Sequence, residues 1–477
     1  MMLCNYRILI NKAGCYFFCT MLAAFLLASC TKDDFNTSAN AGLNTSTTLV
    51  KFDTVFTSIG SVTQSFTITN PNNQKLLLSS IRLAGGNSSP YNININGIPN
   101  AQADNIEIAA KDSIYIFVTV RINPDLAELP FLVQDSIEIA YNNNKRYVQL
   151  EAYGQNANFL RNAVITENRT WNNRLPYVIL GGLQVDTNVV LTVDAGCKIY
   201  CHADAPWLVD GTLIVNGTHD QPVLFTGDRL DEDYKDLPAS WPGIYFRQTS
   251  KNNLLNFAVI NNAYQAVVAE YYASNGFYKL TMQQCTVNNA FDAGLLLVNT
   301  SVDINNSLIS NCGNNINIVL GGNYVFTNCT VPGYSSYVPH KKPVLQVSNA
   351  ALQNSILLTA AIQATFDNCI FWGEETNIVP DEILMEKKGA DNYTVKFNNC
   401  IYRATADPAF STITSSIKNV NPGFDIIEYA DRIFNFHVSN PAAPGIDNGR
   451  ATIFTRDLDN NSRVVGNATD IGCYEKQ

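Results

Sequence analysis

The chain has 477 residues, enough for two or three domains or for one domain followed by a long repeat array. Its net charge is −10 and its pI is near 4.9, so it has no basic stripe to replace phosphate counterions; nucleic acid is excluded as a partner, and a polyanionic ligand would need a local basic cluster. Hydrophobic content of 46 % is ordinary, charged content of 15 % is low, and abundant Asn and Gly with few strong helix formers point to an all-β chain.

The N-terminus comes first. Arg7 and Lys12 form a basic start, and Cys15 to Ala28 is apolar but too short for a stable membrane-spanning helix. Leu27-Ala28-Ser29-Cys30 resembles a bacterial lipobox, which implies lipidation of Cys30 after removal of residues 1–29. Thr31-Lys32-Asp33-Asp34 resembles the export signal of Bacteroidota-type surface lipoproteins, with Lys32, Asp33 and Asp34 as its charged residues. The plainer readings are an ordinary secretory signal that happens to contain Cys, and the solvated start of a linker. Cleavage would remove two positive charges, taking −10 to about −12. The resemblance implies an outer-membrane lipoprotein facing the cell exterior, held by its lipid alone. Residues 30–46 are rich in Ser, Thr, Asn and Ala and are expected to form a flexible tether.

Residues 47–155 form a separate block. Alternating strands are expected around Val62–Thr69, Ser113–Val120, Asp135–Tyr141 and Arg146–Leu150, separated by turn clusters such as Asn70-Pro71-Asn72-Asn73 and Asn142-Asn143-Asn144. About seven short strands without Cys predict an immunoglobulin-like β-sandwich. Phe66-Thr67-Ile68-Thr69-Asn70 and Leu150-Glu151-Ala152-Tyr153-Gly154 resemble the ASH/Hydin type of this domain, which implies a spacer or adaptor.

From about residue 160 the texture changes. Val190-Leu191-Thr192-Val193-Asp194-Ala195-Gly196 and Asp210-Gly211-Thr212-Leu213-Ile214-Val215-Asn216-Gly217 alternate apolar residues with Gly and Asn corners. A repeat follows, anchored on small residues at Ala258, Cys285, Ser307, Cys329, Cys369 and Cys400, spaced 27, 22, 22, 40 and 31 residues apart. Three residues before each anchor stands an apolar residue (Leu255, Met282, Ile304, Phe326, Phe366, Phe397), and two after it stands another (Ile260, Val287, Ile309, Val331, Phe371, Tyr402). The last four anchors follow Asn306, Asn328, Asn368 and Asn399. One short strand pattern at that spacing predicts a solenoid. The phrases resemble right-handed parallel β-helix proteins of the pectate-lyase-like fold, implying roughly eleven or twelve coils with Asn at tight corners. Loops are expected at Tyr334 to Lys342 and Glu374 to Asp391, where function is placed on such scaffolds.

The end of the chain carries Asn421-Pro422-Gly423-Phe424, Ala443-Pro444-Gly445-Ile446-Asp447, Asp457-Leu458-Asp459-Asn460-Asn461 and Asp470-Ile471-Gly472-Cys473-Tyr474-Glu475. These resemble the choice-of-anchor Q module of β-helix surface proteins, although Gly445 and Asn460 depart from its pattern. From about residue 420 this segment is expected to cap the open last coil.

Chemistry is sparse. Eight cysteines remain beyond Cys30, and the repeat makes buried reduced thiols a better reading than a disulfide framework. The acidic run containing Asp231, Glu232 and Asp233 is a candidate calcium loop whose plain alternative is a solvated surface; no other cofactor is expected. Trp207, Tyr271, Tyr272, Tyr334, Tyr337 and Trp372 are candidate flat faces for sugar rings, with Trp372 expected to point outward; the plainer reading of each is core or corner filling. Three functions stay open: non-catalytic display for polysaccharide or host-glycan binding or adhesion, a lyase or glycoside hydrolase acting on uronate-containing polysaccharide, and a structural envelope component.

Overall fold

Alternating apolar and polar residues set the strands of both parts. The computed structural model describes residues 34–57, 60–123, 130–334, 337–374 and 378–477. Cys30, Lys32 and Asp33 lie outside the described residues, and Asp34 is exposed. The chain is all-β and divides into two compact units, with the change at Gly154/Gln155.

The first unit is an immunoglobulin-like β-sandwich. One five-stranded sheet runs in the order Asn44–Thr45, Gln64–Thr69, Ser113–Val120, Tyr91–Ile95, Ile98–Pro99. The other runs Leu49–Phe56, Asn144–Gln155, Phe131–Tyr141, Leu76–Leu83, Gln102–Ile108. Period-two patterning sends Phe66, Ile68, Ile114, Ile116, Val118, Ile137, Ile139, Val148 and Leu150 into one core. Residues 34–46 correct the tether expectation. Leu43 is fully buried, Asn44–Thr45 pairs antiparallel with Gln64–Thr69, and the Asn142 side chain donates to the carbonyls of Asn36 and Ser38. The polar composition of that stretch is spent on hydrogen bonds to the sandwich rather than to water.

The second unit is a parallel β-helix. Among the described residues, twenty-six strands from Asn158–Ile165 to Ile417–Lys418 belong to one sheet. The register places the expected columns on one another. Leu255, Met282, Ile304, Phe326, Phe366 and Phe397 are successive partners. The same column continues back through Val215 and Val193 to Trp171, and forward to Ile413. That makes ten rungs, fewer than the eleven or twelve expected. Nine steps of about 4.8 Å give a coil stack of about 43 Å.

Two columns explain the repeat. The eight described cysteines are free and buried, and those at anchor positions stack inside the coil. Each donates its thiol to the carbonyl two residues earlier: Cys285 to Gln283, Cys329 to Thr327, Cys369 to Asp367 and Cys400 to Asn398. Desolvation raises the thiols of Cys285, Cys329 and Cys369, that of Cys285 to about 12. Asn306, Asn328, Asn368 and Asn399 have φ between 46° and 53°, the left-handed corner that Asn tolerates best among residues with a side chain. Their amides form a ladder, with Asn368 Nδ2 to Asn328 Oδ1 at 2.9 Å and Asn328 Nδ2 to Asn306 Oδ1 at 3.2 Å.

The C-terminal segment does not sit over the last coil. It runs along the flank of the coils and completes the Asn ladder. Arg463, buried, donates to Asn306 Oδ1 at 2.7 Å, Arg450 N donates to Asn368 Oδ1, and Asn399 Nδ2 donates to the Asn448 carbonyl. Cys473 N bonds Thr330 Oγ1, and Gln284 Nε2 bonds the Asp457 carbonyl. Under it lies a second apolar layer of Leu308, Ile370, Trp372, Ile401, Phe436, Leu458 and Ile471. Covering this outer layer takes its apolar side chains out of water.

Candidate functional site

The sites nominated from sequence separate on burial. Trp207 is inside the coil, edge-on to Trp171 and Phe225 at 5.5 and 5.3 Å. Trp372 does point out of the coil, next to inward Phe371, but the C-terminal segment covers it. Tyr334 is buried in the same layer against Phe424 and Phe436. None of these three offers a face to a ligand, which corrects the expectation for all three. Tyr271 and Tyr272 are exposed on the loop that also exposes Phe277.

The calcium reading loses Asp231 and Glu232 to cations, which leaves Asp233. Asp231 pairs with Arg229 at 2.7 Å, Glu232 pairs with Lys235 at 2.8 Å, and the Arg229 guanidinium lies over the Tyr234 ring. No group of three metal-ligating side chains gathers among the described residues. The adjacent Cys201 and His202 point opposite ways, the thiol buried and the imidazole outside, bonded to Asp228.

Within the second unit, two further clusters of titratable groups brace loops. Glu382, fully buried, bonds His340 Nε2 at 3.0 Å and Arg403 at 2.6 Å, while Arg403 also donates to the carbonyls of Glu374 and Val379. This ties together the two loops expected from the long repeat gaps. Under the C-terminal segment a cavity of about 340 Å³ contains His437 and Asp459, bonded at 2.7 Å, with Tyr474 stacked on the imidazole. The carboxylates around it hold backbone amides: Asp457 those of Asn461 and Glu475, Asp470 those of Asp447 and Lys476. Burial raises both carboxyls from the usual range, and the backbone amides oppose that.

The remaining constellation is open. It begins at a second corner, where Asn262, Asn289 and Asn311 stand four residues after their anchors with φ of 63°, 58° and 57°. Asn289 Nδ2 bonds Asn262 Oδ1 and the Asp236 carbonyl, both at 2.8 Å; Asn262 Nδ2 bonds the Lys235 carbonyl. Asn311 Oδ1 accepts from Tyr334 N. These corner amides therefore hold the acidic loop on one side and the loop carrying Tyr337 on the other. With the hairpin Ile426–Glu428 and Ile433–Asn435, which brings Asp431 and Arg432, they enclose a polar cavity of about 370 Å³. Asn289 is buried, and its Oδ1 has no partner in the protein. Arg432 lies 4.0 Å over the Tyr337 ring and bonds its hydroxyl, so one face of that ring is taken.

Two residues beyond Asn262 and Asn289 are Tyr264 and Phe291. They are 45 % and 50 % exposed, and their rings stack across neighbouring coils at 5.8 Å and 24°. Asp292, bonded to Gln265 and Lys342, borders the pair. Neither ring was nominated from sequence. The available signal was their common place, six residues after the anchors Ala258 and Cys285, on a position the inward columns leave outside.

No protein family matches the chain, and no curated protein matches it. Solved structures align only in part. A family 123 glycoside hydrolase from Clostridium perfringens aligns over 26 % of this chain and 31 % of its own, at 8 % identity and TM-score 0.19. The Vibrio cholerae VesB protease covers 24 % and 31 %, at 13 % identity and TM-score 0.17. The chain thus spans about a third of each. The ASH / PapD-like domain of human CEP192 aligns over 27 % of this chain and 92 % of its own, at 10 % identity and TM-score 0.18.

Proposed function

We propose that this chain is a cell-surface lipoprotein, anchored through Cys30, whose β-helix displays a non-catalytic glycan-binding face. The observation that carries the reading is the exposed Tyr264–Phe291 stack beside the amide-lined cavity. Flat apolar rings next to fixed amides and carboxylates match the two faces of a sugar, apolar C–H on one side and hydroxyls at the edge. The sandwich serves as a spacer, in keeping with its ASH/Hydin-like motifs, and the C-terminal segment is a choice-of-anchor Q type module. The lipobox-like Leu27-Ala28-Ser29-Cys30 and the Lys32-Asp33-Asp34 run support export to the outer surface. Lyase or hydrolase chemistry needs an acid and a base facing one open groove. The buried His340–Glu382–Arg403 cluster and the amide-bound carboxylates beneath the tail serve packing instead.

A glycan array run beside turnover assays on uronate-containing polysaccharides tests the function. Binding without turnover is expected; turnover overturns the non-catalytic reading, and silence in both assays overturns the glycan reading altogether. Protease added to intact cells tests location. The protein should be cleaved without lysis, and protection until lysis would place it inside.

A further inference from the structure

We propose that the Asn262–Asn289 corner and the Tyr264–Phe291 pair form one site for an uncharged oligosaccharide lying along the helix axis, with uronates and sulfated sugars excluded. The inference rests on the glycan-display reading and specifies its ligand class.

Direction follows from register. The two rings occupy equivalent positions on successive coils. The step between coils is about 4.8 Å, close to the length of one pyranose unit, so a chain parallel to the axis runs past the exposed parts of both aromatic rings. A chain running around the coil would meet only one of them. The Asn column climbs in the same direction, two residues before the rings on each coil.

Charge sets the class. Asp236 and Asp431 stand exposed on opposite walls of the cavity. The guanidinium of Arg432, which lines the same cavity, is stacked on Tyr337 and bonded to its hydroxyl. Lys342, near the aromatic pair, faces Asp292. A carboxylate or sulfate entering there meets two carboxylates against a single guanidinium in a chain of net charge −10, whereas hydroxyls donate to both carboxylates. Asn289, with a buried carbonyl oxygen lacking a protein partner, supplies a polar floor that a hydroxyl or acetamido N–H reaches through a small shift of the corner.

The test uses the full chain without its signal segment, titrated with neutral oligosaccharides of one to five units and with oligouronates and sulfated oligosaccharides of equal length. Affinity is expected to rise from one unit to about three and then level, with little dependence on salt. Tyr264→Ala and Phe291→Ala, both at exposed positions, should each weaken binding at least tenfold. Tyr271→Ala combined with Tyr272→Ala should leave it unchanged. Asp431→Asn should keep neutral binding and admit uronates. Preference of the wild type for charged sugars overturns this inference while leaving glycan display standing. Loss of binding in the Tyr271/Tyr272 variant, with Tyr264 and Phe291 variants unaffected, overturns the location. Silence toward every sugar overturns the display reading beneath it.

Discussion

At the scale of single residues, the coil interior accepts whatever fills a small column and finds the carbonyl two residues back. Ser307 and Ser416 occupy the same column as the cysteines, and their hydroxyls donate to Asn305 and Thr414 just as the thiols donate to the equivalent carbonyls. Cys369→Ser should therefore cost within about 1 kcal/mol despite its burial, because the new hydroxyl keeps its acceptor. Cys369→Leu should cost about 1–3 kcal/mol by overpacking. Urea midpoints of the two variants give the order, and a Ser variant worse than Leu contradicts it. Lys279 is the less expected interior residue. It is fully buried, its amine donates to the carbonyls of Arg247 and Gln248, and desolvation lowers it to about 8 from 10.5. Between those values the unfolded chain holds more of this proton than the folded one, so this site makes stability rise with pH through that window. Lys279→Met should lack that rise: comparing wild type with variant by urea midpoint at pH 7 and pH 10, the difference should move in favour of wild type. A constant difference means the amine is not desolvated. The repeat was legible because Cys, Asn and the apolar columns carry it in their identities. The Lys was not, since its partners are backbone carbonyls that leave no trace in composition.

At the scale of elements, the strands of the coil were readable and the insertions were not. The 40-residue gap between Cys329 and Cys369 was expected to be a loop near Tyr334. It also holds a hairpin, Ala350–Gln353 with Ile356–Thr359, turning at Asn354 and Ser355 in the left-handed region. Its two strands pair with each other, and Ala360 N bonds the Asn349 carbonyl across its base at 3.0 Å. Leu352, Ile356 and Leu357 are 76 %, 63 % and 52 % exposed. Replacing residues 350–359 with two glycines should leave the thermal midpoint within about 3 °C and improve solubility, because the coil register does not pass through the hairpin. A collapse of the midpoint would show that the hairpin supports the coil. The tail's course was partly announced. Ile370-Phe371-Trp372 and Leu308-Ile309 put apolar residues on both faces of a strand, which a coil with one wet face does not need. Its contacts are nonetheless amide to carbonyl at separations of 49 to 173 residues, and no local pattern encodes those.

At the scale of the whole molecule, the sequence disclosed the division into a sandwich and a solenoid but only part of the face proposed for binding, since that face is assembled from a corner column, two insertions and a hairpin far along the chain. Tyr337 was nominated, while Tyr264 and Phe291 gained significance only when neighbouring coils came into register. The flank-lying tail has a consequence of another kind. It touches Gln284, Asn306, Thr330, Asn368 and Asn399 in turn, one station per coil, and so acts as a ruler. Repeat arrays ordinarily gain and lose units freely because each unit knows only its neighbours. Here that freedom ends where the ruler begins. Duplicating residues 197–222, which the tail does not hydrogen-bond among the described residues, should give a folded, protease-resistant chain. Removing 307–328, an equally whole coil, should shift every later station by one and free the tail for cleavage. In a lineage built this way, length is expected to vary in the first coils and to be held constant in the last.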